Sequence, residues 1–207
     1  LLGNLYRGDR GCKDRSSSSS GYIAESAKHN QRKFLEVRCK GSDFVGVLLS
    51  NGKNIEVDCL SCAVTSGLIE PEGGTVIETE YFHAHQDVAY PIKGLIILAA
   101  KRHIKCFDEL TEEESSDYIR LLKRIRKAQR IALGIESVYY FYNEDTTHHF
   151  HTWMVPRYDW MYDFGRSVES VRPILLHARK QLSGEENVKE VLLAVAALTK
   201  ELNENKG

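Results

Sequence analysis

The sequence predicts an α+β domain: an antiparallel sheet with one long helix laid across it, extended by two carboxy-terminal helices. Three observations predict it. Short runs rich in β-branched and aromatic residues recur between turn signals through the middle of the chain. One long amphipathic pattern, residues 111–133, stands among them behind a capping box. The connection 144–147 is short enough that the runs on either side must be antiparallel neighbours.

The chain has 207 residues, enough to bury a core without staples. Its formal net charge of −1 supplies no global pull toward nucleic acid or membrane, so an anionic ligand needs a local site. No apolar run reaches the roughly 18 residues a membrane span requires, and the first residues lack the apolar core of a signal peptide. A cytoplasmic protein is expected. Five cysteines, an odd number, do not make a disulfide framework.

Taken in order, residues 1–22 are polar and rich in Gly and Ser, too poor in apolar surface to order themselves, and are expected to be flexible. Residues 23–56 form an amino-terminal extension: a weak helical signal from Ile23 to Val37, then a hairpin of Asp43–Ser50 and Ile55–Asp58 around Asn51-Gly52. The main domain is expected at 57–165. It opens with Cys59-Leu60-Ser61-Cys62, for which three readings compete: a metal knuckle, a redox pair, and two thiols packed as small hydrophobes. Extended segments follow at Thr75–Glu80 and Tyr81–Asp87 and, as a continuous apolar run, at Gly94–Ala100, with His103 just beyond.

Thr111-Glu112-Glu113-Glu114 is the capping box, and Tyr118, Leu121, Leu122, Ile125 and Ala132 make the apolar face of the helix before Gly134 stops it. Ser137–Tyr142 reads as a strand ending at Asn143. In the run from His148 to Arg157, alternation puts His149, His151 and Trp153 on one face and Phe150, Thr152 and Met154 on the other. Two helices close the chain across 166–207, with apolar faces at Val168, Val171, Leu175 and Ala178, and at Val188, Val191, Leu192, Val195, Leu198 and Leu202. The aromatic cluster Tyr158–Tyr162 is expected to pack these helices onto the sheet rather than to line a ligand site. His83 and His85 alternate on one strand and are expected to be exposed or hydrogen-bonded.

His149-Phe150-His151-Thr152-Trp153-Met154-Val155-Pro156-Arg157 resembles the histidine-triad nucleotide-binding family, whose signature is three histidines alternating with hydrophobics, often before Pro-Arg. His149 and His151 match the first two histidines, and Trp153 stands where the third would be. Cys59-x-x-Cys62, the strand running into Lys101-Arg102-His103, the pair Asp87-Val88 and Asn143 match further family positions, so the resemblance spans about residues 57–157.

The resemblance implies cleavage or transfer at a nucleotide α-phosphate, with a dinucleoside polyphosphate or a nucleoside phosphoramidate as substrate. His151 would be the nucleophile and form a nucleotidyl-histidine; His149, Asn143 and Trp153 would complete the catalytic group. Asp87 and Val88 would hold ribose and base, and Thr146, Thr147 and Arg157 would contact phosphate. It also implies a structural Zn²⁺ on Cys59, Cys62, His103 and His149, and a homodimer through the long helix and its neighbouring strand. Trp153 donates one N–H but cannot shuttle a proton, which leaves two rivals from other classes: a catalytically silent nucleotide binder and a zinc-stabilised interaction module.

Overall fold

Strand runs and turn signals become eight strands and four helices in a computed structural model that describes residues 38–39, 45–48, 54–145 and 149–205. These residues lie in one compact unit, Lys33–Gly207. The lead expected to be flexible at 1–22, the helix expected at 23–37, the turn expected at Asn51-Gly52, and the positions of Thr146, Thr147 and His148 fall outside the described residues.

Strands β1 (Arg38–Cys39), β2 (Val45–Leu48) and β3 (Asn54–Val57) form a small antiparallel sheet in which Val45 faces Val57 and Leu48 faces Asn54, the expected hairpin pairing. Helix α1 (Leu60–Thr65) follows, then β4 (Thr75–Glu78), β5 (Phe82–His85) and β6 (Ile96–Ala100). After helix α2 (Glu112–Leu133) come β7 (Ser137–Phe141), β8 (His151–Arg157), α3 (Val171–Gln181) and α4 (Glu185–Glu204). The main sheet has the order β4-β5-β6-β8-β7 and is antiparallel throughout. The fold class is the one expected.

The period of two sorts the sheet into two faces with different tasks. Phe82 and Ala84, Ile96, Leu98 and Ala100, and Phe150 and Met154 pack against Tyr118, Leu121, Ile125 and Ala128 of α2 and Val195, Leu198 and Leu202 of α4. On this face Thr152 shares a 2.7 Å hydrogen bond with the Tyr118 hydroxyl. The opposite face carries His83, His85, Ile97, Ala99, His151 and Trp153, aligned in two cross-strand rows: His83–Ala99–His151 and His85–Ile97–Trp153. A helix layer thus holds one face rigid, and the polar side chains line the other.

The ends of α2 follow local chemistry. Glu114 N–H donates to Thr111 Oγ1 at 3.2 Å and Thr111 N–H to Glu114 Oε2 at 2.9 Å, completing the capping box, while Gly134 ends the helix with φ +65°, a conformation that costs glycine little. Arg102 also grips Glu114, its Nε and Nη2 donating to the two carboxylate oxygens at 2.9 and 2.7 Å, which ties the residue before His103 to the helix. The Arg102 hydrogen bond, aided by the Thr111 N–H, holds the Glu114 carboxyl below its ordinary value despite burial. A depressed carboxyl stabilises the fold above its unfolded pKa of about 4.3, and that contribution is lost as pH falls through the folded value. Glu114→Gln is expected to cost about 1–3 kcal/mol at pH 7, with the gap to the parent narrowing by pH 3. Urea unfolding at the two pH values measures it.

The carboxy-terminal helices divide between the faces. Helix α4 joins α2, and α3 packs Ile174 and Ala178 against Ile92, Leu95, Ile97 and Val155 on the other face. Two assignments to their apolar stripes are corrected. Val168 is 66% exposed because a 3-10 turn, Val168–Ser170, precedes α3 and swings it outward. Leu192 is 40% exposed, whereas Ala194, two positions on, is buried. The aromatic cluster packs as expected, with Met161 buried and Tyr158, Trp160 and Phe164 around it in the core shared with α3.

Candidate functional site

Strand β8 and the two residues before it deliver both chemical centres, because its alternation sends Phe150, Thr152 and Met154 into the helix-face core. Phe150 anchors the strand, with its ring centroid 5.4 Å from that of Tyr118 and 4.8 Å from that of Phe107. His149 and His151 are then held to the other side.

The first centre gathers Cys59, Cys62, His103 and His149, whose ligand atoms all lie within 4.8 Å of one another. Cys59 caps the amino end of α1 and accepts the Cys62 N–H on its Sγ at 3.4 Å, so the first turn of helix folds the two thiols toward one point. His149 Nε2 donates to the Ala100 carbonyl at 2.7 Å, which leaves Nδ1 with its lone pair directed at the cysteines. Nδ1 of His149 lies 3.4 Å from each Sγ and 3.4 Å from His103 Nδ1, and Cys62 Sγ lies 3.2 Å from His103 Nδ1. Bond lengths of about 2.3 Å to sulfur and 2.0 Å to nitrogen in a tetrahedron imply edges of roughly 3.3–3.8 Å, so the donor set fits a four-coordinate ion. Burial, reinforced by Cys59, pushes the Cys62 thiol up to about 11, so it is protonated at neutral pH unless a cation lies beside it. Burial likewise lowers the His149 pKa, keeping its imidazole in the neutral, ligating form. These four residues can hold a metal ion. None of the other described residues forms a comparable cluster of three or more metal-ligating groups.

The second centre is a cavity of about 400 Å³ on the same face. Its apolar walls include Leu60, Val64, Ile69, Val88 and Ile97, and its polar groups include His85, Asp87, His151, Trp153 and Arg179. His151 is buried and its Nδ1–H donates to the His149 carbonyl at 2.8 Å. That bond selects the tautomer with the lone pair on Nε2, the nitrogen left for the cavity. The two centres are therefore joined through one residue, since the His149 ring faces the metal cluster and its carbonyl orients His151. Asp87 accepts the Ala89 N–H at 2.7 Å, and burial raises its pKa against the opposing pull of that hydrogen bond and of Arg179. The Trp153 ring stands edge-on to Tyr90 with centroids 5.2 Å apart.

Not every expected site residue meets at the cavity. His151, Trp153, Asp87 and Val88 do; His149, expected both as catalyst and as ligand, turns to the cysteines. Asn143 is half-buried two residues past β7 and is not among the described residues lining the cavity. Arg157, expected as a phosphate contact, is instead committed to the segment after β8. Its Nη1 donates to Ser170 Oγ at 3.0 Å, its Nη2 donates to the Gly165 carbonyl at 2.8 Å, and its guanidinium lies over the Tyr139 and Tyr162 rings at 4.5 and 5.0 Å. Packing of the chain's return has captured it. Among the described residues, the cation that does line the cavity is Arg179 of α3, which no local motif marks. His83 is buried with Nε2 2.9 Å from Thr75 Oγ1, as a hydrogen-bonded histidine, but His85 is buried with its Nδ1 unpartnered among the described residues and lies on the cavity wall.

No family model and no curated protein matches the sequence. Solved structures do match. A Zn-bound histidine-triad family protein from Mycobacterium smegmatis aligns with a TM-score of 0.51 at 20% identity, over 71% of this chain and 97% of that one. A histidine-triad family member from Bacillus subtilis aligns at 23% identity with a TM-score of 0.47, over 62% of this chain and 100% of that one. At these identities the likeness concerns the fold, and the similarity to the Mycobacterium smegmatis structure covers nearly all of that protein. The structural neighbours of this chain are histidine-triad proteins, and the antiparallel five-stranded sheet backed by a long helix is the fold it shares with them.

Proposed function

We propose that the protein cleaves or transfers at the α-phosphate of a nucleotide through a covalent intermediate on His151. One observation carries this reading: the Nδ1–H bond from His151 to the His149 carbonyl, which occupies Nδ1 and leaves Nε2 as the nitrogen available on a ring that lines the cavity. A neutral nucleophile avoids repulsion from the phosphate oxygens. Nε2 attacks phosphorus, the bond to the leaving group breaks with its electron pair, and water or another acceptor then displaces the histidine from phosphorus. The apolar walls suit a base, and Asp87 suits a ribose hydroxyl. Thr146, Thr147 and Asn143 remain proposed contacts for the phosphoryl oxygens.

Trp153 sets the leaving-group preference. An indole N–H donates a hydrogen bond but cannot give up its proton at neutral pH. An amine leaving group needs that proton, whereas a polyphosphate departs as a stable anion, so dinucleoside polyphosphates suit this site better than phosphoramidates. Incubation with a dinucleoside polyphosphate labelled at the α-phosphate is expected to trap an acid-labile protein adduct and to release nucleotide faster than from the matched phosphoramidate. Nucleotide binding with neither adduct nor product in both classes would make the protein a silent binder.

The metal cluster is proposed to hold one structural Zn²⁺, supported by its two thiols, two imidazoles and the hydrogen bond from His149 to Ala100. The ion would supply a fixed anchor for His149. Loss of nucleotide affinity in every class with full zinc would point to an interaction module.

A homodimer is proposed through α2 and β7. Strand β7 is an edge of the sheet, and Ile119, Ile131 and Tyr140 expose apolar surface beside it. Arg120, Lys123, Arg126, Lys127 and Arg130 line a groove there with Ile119 and Tyr140, so pairing carries a like-charge cost that salt screens. Sedimentation is expected to show a dimer that tightens with ionic strength and becomes a monomer in Ile119→Asp/Tyr140→Glu. A parent protein that stays monomeric at high concentration would refute the interface.

A further inference from the structure

His85 is a buried polar group on the cavity wall that the proposed chemistry leaves unused. It sits on β5 in the row His85–Ile97–Trp153, separated from β8 by β6. Adjacent strands are about 4.8 Å apart and residues two apart along a strand roughly 6.6 Å, so His85 stands diagonally across the floor from His151, two strands over and one row along. A phosphorus at His151 Nε2 therefore lies at one end of the cavity, and a nucleoside extending over Ile97 between Leu60, Val64, Ile69 and Val88 brings its base to His85 at the other.

The state of the ring follows from its surroundings. Only 9% of His85 is exposed, and its Nδ1 is sealed in the protein with no hydrogen-bond partner. Burial, with the charges of His83 and His151 acting in the same sense, lowers its pKa to about 3, so the imidazole is neutral. A buried N–H without an acceptor is costlier than a lone pair without a donor. The proton accordingly belongs on Nε2, the other nitrogen of a ring that lines the cavity. Apolar side chains of similar size would fill this position without stranding a polar atom, as Ile97 does in the same row.

We infer that His85 is a specificity-determining residue that donates an Nε2–H hydrogen bond to an acceptor on the nucleobase, giving the cavity a preference for bases with ring nitrogens or carbonyls over apolar rings of the same shape. This rests on the nucleotide reading above. A site that hydrogen-bonds its ligand rejects the analogue lacking that group, because its own polar atom is then left unpaired. The preference should lie in binding and not in the chemical step, since the contact is present before and after attack on phosphorus.

Calorimetric binding of adenosine monophosphate and of indole riboside monophosphate tests it. The parent protein is expected to prefer the adenine nucleotide by about tenfold. His85→Phe should bring the two affinities within about twofold by weakening the adenine nucleotide alone, and should leave the melting temperature equal or higher because a stranded nitrogen is gone. His85→Gln, which restores a donor, should recover part of the preference and carries the test if the phenylalanine variant fails to fold. Equal affinities in the parent, or an undiminished preference in both variants, would overturn the role of His85. Absence of binding to either nucleotide by the parent would instead overturn the nucleotide reading on which it rests.

Discussion

His151→Asn is expected to bind nucleotide within a few-fold of the parent, to form no covalent adduct, and to turn over substrate at least about a thousandfold more slowly. Asparagine is the informative replacement because its amide N–H can keep the bond to the His149 carbonyl that Nδ1 makes at 2.8 Å, while it offers no lone pair on nitrogen to the cavity. Shape and orientation are retained and only nucleophilicity is removed. Stopped assays with α-labelled dinucleotide, run beside equilibrium binding, separate the two quantities. Unchanged turnover in this variant would sink the covalent route, and loss of binding in proportion to turnover would assign His151 to affinity instead of chemistry.

Removal of the metal should have the second large effect. Cys59→Ser/Cys62→Ser is expected to reduce bound zinc from about one equivalent to a trace, because a hydroxyl is a far poorer zinc ligand than a thiolate. Structural zinc contributes about 10–16 kcal/mol to peptides that have no other core. Here the sheet keeps its own core on both faces, so a loss of order 4 kcal/mol is expected, or roughly 10–15 °C in melting temperature for a domain of this size. Activity should fall as well. The His149 ring would lose its anchor, and with it the carbonyl that fixes the His151 tautomer. Elemental analysis of protein prepared without chelators, followed by thermal melting, measures both, and full metal retention in the double variant would refute the ligand set.

Much of the architecture was legible from local pattern. The capping box at Thr111–Glu114 and the stop at Gly134 mark α2 to within a residue, because helix ends are decided by their own side chains and dihedrals. Alternation in 149–154 predicted which side chains share a face, because the strand period admits no other arrangement once Phe150 and Met154 are buried. The hairpin pairing of β2 with β3 was legible for the same reason. Val168 was misplaced because a 3-10 turn breaks the helical period before α3 begins, and Leu192 because it stands at the margin of its stripe, where the packing partner selects which residue goes inward.

By itself the sequence determined the α+β class, the order of the elements, the pair of thiols at one helix turn's spacing, and the alternation that offers His149 and His151 on one side of a strand. Only the tertiary structure decided the roles. Cys59 and His149 are 90 positions apart and His103 lies 46 from His149, so their convergence depends on how β6, β8 and α1 pack. The same packing drew Arg157 into the segment beyond its strand, brought Arg179 from α3 to the cavity, and sealed one nitrogen of His85 while leaving the ring on the cavity wall. Periodicity reports the face a side chain takes; the neighbours waiting on that face, which come from distant segments, decide whether it joins a cluster of ligating groups, lines a cavity or merely holds a loop.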